Sequence, residues 1–167
     1  SNTTLSKMLA GKQVGVRPYL GNILHGISGH STPKDIETAF QLMYLYFTAP
    51  RFDAEEYETG IQKIKAVLPN LVNNPDFLFD NFVSEKMYGG NPRVVKISEE
   101  TLAAANLETI EKVYRNLMFK DAAGATLTIV GNVDLETLKP LVEKYVGSLP
   151  KGKNASAVNE ENLIHFA

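Results

Sequence analysis

Histidine is the side chain best suited to bind a metal or move a proton near neutral pH, and the chain has three. Only His25 and His30 lie close together. A zinc pair needs two ring nitrogens converging on one point, as at i and i+4 of a helix. A spacing of five along a strand instead turns the rings to opposite faces. The expectation is a strand histidine and a loop histidine with ordinary hydrogen bonds. The serines, Ser28, Ser31, Ser84 and Ser98 among them, lack a Gly-x-Ser-x-Gly elbow. Neither His25 nor His30 has an evident acid to orient it as their base. Gly11-Lys12 looks like the tail of a phosphate loop, but Ser6 stands where that motif needs glycine. Glu55-Glu56, Glu99-Glu100 and Glu160-Glu161 are paired carboxylates, each at a helix start or in a polar tail, where the helix dipole or solvent accounts for them. With no cysteine there is no thiolate nucleophile, disulfide or zinc-thiolate site. The residues thus nominate no catalytic, cofactor-binding or metal-binding side chain in this chain.

The elements around these residues read as α+β, a mainly antiparallel sheet packed against several helices. Leu5, Met8 and Leu9 make a helical turn closed by Gly11. Val14 and Val16 alternate with small or polar neighbours, and Ile23 to Ile27 resumes after Gly21-Asn22, which predicts a hairpin across that turn. Thr32-Pro33-Lys34-Asp35 places a capping hydroxyl, a first-turn proline and an acid at a helix start, and Ile36, Phe40, Met43 and Phe47 carry the stripe to Thr48. Asp53 with Glu56 caps the next helix, whose stripe of Tyr57, Ile61, Ile64 and Leu68 runs to Pro69. Asn74-Pro75 opens a third helix bearing Leu78, Phe82 and Val83, which Gly89-Gly90 stops. Ser98 and Asn106 cap two more, the second running through Leu107, Ile110, Val113, Tyr114 and Leu117. Ala125 to Val130 alternate as a strand, and Leu138, Leu141, Val142 and Tyr145 form a last helix that Pro140 kinks or begins and Gly147 ends. Tyr44, Tyr46, Phe47, Tyr57, Phe77, Phe79 and Phe82 fall mostly on helical stripes, so most are expected in the core.

A chain of 167 residues, 44% hydrophobic and 22% charged, suits one compact domain over 1–150. Residues 151–167 read as a linker followed by the opening of a strand at Leu163-Ile164-His165-Phe166. Ser1-Asn2 looks like the remnant of a cleaved purification tag, so the expectation is a piece of a longer protein. A net charge of −2 and a pI near 5.9 offer no basic footprint, which argues against nucleic acid as a partner. The longest apolar run, Leu42 to Phe47, is too short to span a bilayer. A sheet missing strands would have an unfinished edge, and from this some self-association of the isolated chain is expected.

Three stretches together resemble the second half of large bacterial insulinase-like (pitrilysin-type) zinc metallopeptidases. They are Leu9-Ala10-Gly11-Lys12 with Val14, Val16 and Pro18; Ser31 to Thr38 with Gln41 to Asp53; and Ile129-Val130-Gly131-Asn132-Val133-Asp134 with Leu138 to Leu141 and Tyr145 to Pro150. The resemblance covers about residues 5 to 150. It implies homologous halves enclosing a chamber, with only the first domain carrying an inverted zinc motif H-x-x-E-H and a distant glutamate ligand. That motif is absent here; the distant ligand's counterpart would lie on the helix from Asp53 to Leu68, whose second half, Ile61 to Leu68, has no carboxylate. The resemblance therefore implies an inactive copy: a non-catalytic domain forming part of the substrate chamber, with zinc held by another domain of the parent. Its partners would be the parent's other domains and the peptide substrate, and its compartment the periplasm of a bacterium. The alternative is a catalytically dead scaffold or assembly module of the same family.

Overall fold

The computed structural model describes residues 2–21, 24–89, 91 and 93–152. The predicted strand opening at Leu163 to Phe166, Glu160-Glu161, Ile23 and most of the 151–167 linker lie outside the described residues. These residues form a mixed helix and strand structure that divides into two compact units. One gathers the described residues through Leu20, His25–Arg51 and those from Val113 onward; the other contains Phe52–Lys112.

In the first unit α1 (Asn2–Met8) leads to Gly11, whose φ of 80° lies in the left-handed region that favours glycine. The predicted hairpin is present as β1 (Val14–Leu20) and β2 (His25–Ser31), both longer than the alternating residues alone indicated. They pair antiparallel from Val14 opposite Ser31 to Leu20 opposite His25. The Gly21 N–H donates to the Leu24 carbonyl (2.8 Å) at one end, and the Thr32 N–H to the Gln13 carbonyl (3.2 Å) at the other. Counting inward from these, Gly15/His30, Arg17/Ser28 and Tyr19/Gly26 are the hydrogen-bonded pairs, while the alternate pairs turn their backbone groups outward. Pro18, which has no N–H to give, falls on an outward position.

The predicted helix over Pro33 to Thr48 begins as a 3-10 turn, Pro33–Asp35, and continues as α2 (Ile36–Thr48), which packs on both strands. Thr32 precedes it in extended conformation but does not cap it with its hydroxyl. That hydroxyl donates to Asp35 Oδ2 (3.2 Å) instead. The expected third strand, Ala125 to Val130, is not one: among the described residues the sheet contains only β1 and β2. Alternation supplies the faces of a strand, but a ladder partner makes one, and among the described residues none is paired with this segment.

The second unit contains α3 (Ala54–Leu71), α4 (Pro75–Tyr88), α5 (Glu99–Ala104) and most of α6 (Leu107–Val113). Local capping matches the sequence closely. Asp53 accepts from the Glu56 N–H (3.0 Å), and Asn74 Oδ1 from Asp76 and Phe77 (2.9 and 3.1 Å). Ser98 forms a capping box with Thr101, and Gly89 closes α4 at φ 55°. The paired glutamates Glu55-Glu56 and Glu99-Glu100 sit in first turns, as expected. α3 runs past the predicted stop at Pro69 to Leu71, with Pro69 inside the helix. The predicted core role fails for α4, where Phe79 is 65% exposed and Leu78 and Phe82 are likewise exposed.

α6 passes into a π-helical stretch, Tyr114–Met118, closed by the Phe119 N–H donating to the Tyr114 carbonyl five residues back (2.9 Å). α7 (Leu135–Leu141) starts at its Asp134 cap rather than at Pro140, which it contains, and passes into a second π stretch, Val142–Val146. Among the described residues the buried hydrophobic side chains of the first unit are Phe40, Leu42, Phe119, Tyr145 and Leu149, and that of the second is Leu68.

Candidate functional site

The first unit contains a groove of about 330 Å³, at the lower end of the range for ligand clefts. Its lining comprises Ile36, Phe40 and Met43 of α2, here termed its floor, together with residues of β2 and the chain from Leu127 to Val133. No Asp, Glu, Lys or Arg lines it. Val16 and its opposite number Gly29 share a face, and Ile27 and Ser31 lie on the same face by the strand's period of two. Val130, in the segment from Leu127 to Val133, is 93% exposed.

The floor is held at its N-terminal end by Asp35, the one buried charged side chain among the described residues. Its carboxylate accepts from the Gln13 backbone N–H (2.9 Å), from Thr32, and lies 3.8 Å from the Lys12 ammonium. The Gln13 bond foremost holds the carboxyl below its ordinary range, against the opposing effect of desolvation. Two residues on, the Tyr145 hydroxyl donates to Glu37 Oε1 (2.8 Å) while Gln41 Nε2 donates to that hydroxyl (3.2 Å). Lys144 completes the group at 3.1 Å from Glu37, and the Tyr145 bond, then Lys144, lowers the Glu37 pKa. The Tyr145 ring stacks on Phe40, so the polar group and the groove floor share one anchor.

Both proximal histidines sit on β2, His30 within the strand and not in the loop expected for it. Their spacing places them on opposite faces, as the sequence predicted. His25 Nε2 lies 2.8 Å from the Met118 carbonyl, its ring edge-on to Phe119. The His30 ring lies over Gly15, where a Cβ would meet Cε1 at 2.6 Å. Phe119 gathers His25, Phe47 and Tyr114 around one ring. The Tyr114 hydroxyl donates to the Tyr46 carbonyl (2.9 Å), and burial pushes its pKa up to about 12. Among the described residues no group of three or more His, Cys, Asp or Glu could hold a metal ion, and no helix is long and apolar enough to cross a membrane.

Chemically, the groove offers apolar surface and backbone edges, a setting for noncovalent binding. Sequence reasoning did not find it. The signal was available in the shared parity of Ile27, Gly29 and Ser31 and in the second alternating run at Leu127 and Ile129.

Residues 105–165 match the model of the Peptidase M16 inactive domain. A curated relative described as a zinc protease PQQL-like, from Arabidopsis thaliana, is 36% identical over 121 residues. That match covers 70% of this chain and 12% of the relative, so the chain spans about an eighth of that protein's length.

Proposed function

Since the chain belongs to the insulinase-like (M16) peptidase family, we propose that it serves as a non-catalytic domain of a zinc-dependent metallopeptidase and forms part of the chamber wall around peptide substrates. The match of residues 105–165 to the family's inactive domain carries this reading. The parent's zinc and general base would come from another domain, where the metal would supply activated water. The contribution of this chain is structural: an α2 surface anchored by Asp35 and by the Glu37–Tyr145 pair, presenting an uncharged groove. The larger polypeptide's other domains would be its partners and the bacterial periplasm its compartment.

The test is metal analysis of the purified chain after dialysis, together with a peptidase assay on an unstructured peptide. The expected result is no stoichiometric zinc and no cleavage. One tightly held zinc per chain, or cleavage abolished by a chelator, overturns the reading. The parent's sequence separates this from a scaffold role, since an H-x-x-E-H motif elsewhere in it favours the protease and its absence throughout favours the scaffold.

A further inference from the structure

We draw no further inference here: the strongest candidate, the exposed apolar face of α4 that carries Leu78, Phe79 and Phe82, supports none because nothing in the structure shows what covers it.

Discussion

Phe119 is 7% exposed and serves as the meeting point of three rings: Tyr114 at 4.7 Å, Phe47 at 5.4 Å and His25 at 6.0 Å between centroids. Phe119→Ala would remove the ring that joins α2, the first π stretch and β2. Truncating a buried phenylalanine costs about 3–5 kcal/mol in transfer and cavity terms. For a chain of this length each kcal/mol moves the midpoint by about 2–4 °C, so the expected fall in Tm is about 6–20 °C. The contrast is Leu117→Ala, two residues earlier and 72% exposed, which should stay within about 0.5 kcal/mol. Urea melts followed by near-ultraviolet circular dichroism read both. With no tryptophan in the chain, the tyrosine signal, including that of Tyr114 beside the deleted ring, reports the packing. A Phe119→Ala cost below about 1 kcal/mol, or a Leu117→Ala cost equal to it, would refute the assignment of this cluster as the unit's core.

Two further predictions concern pH. Asp35 titrates below its ordinary value of 3.8 in the folded chain, chiefly through the Gln13 N–H, so its contribution is present above that pH and is lost as pH falls through the lower folded value. Asp35→Asn should flatten the acid limb of a stability-versus-pH curve without abolishing it, because Glu37 and Asp134 are lowered too; an unchanged limb would refute this. Tyr114 is held neutral by burial, with its pKa near 12 against 10.0 ordinarily, so its contribution is present below pH 10 and is lost as pH rises toward 12. In a spectrophotometric titration Tyr114→Phe should remove a tyrosine ionisation near pH 12, and persistence of that step would count against the structure.

The sequence alone determined the features whose bonds close within a few residues. Asp53, Asn74 and Ser98 each reach a backbone N–H two or three positions on, and Gly89 takes a left-handed φ that a side chain would resist, so helix limits there were readable from residue type. The hairpin was readable for the same reason, since its register is set by a short turn. What depends on distant partners was decided by tertiary structure. Residues 125–130 alternate like a strand, yet a strand exists only where another backbone lies alongside. Phe79 and Phe119 are the same residue type, but one lies on an exposed helix face and the other among three rings, a difference of environment that no local pattern encodes. Asp35 reads as an ordinary helix-start acid; folding makes it a buried tie to Gln13, twenty-two residues away, and so fixes the floor of the groove.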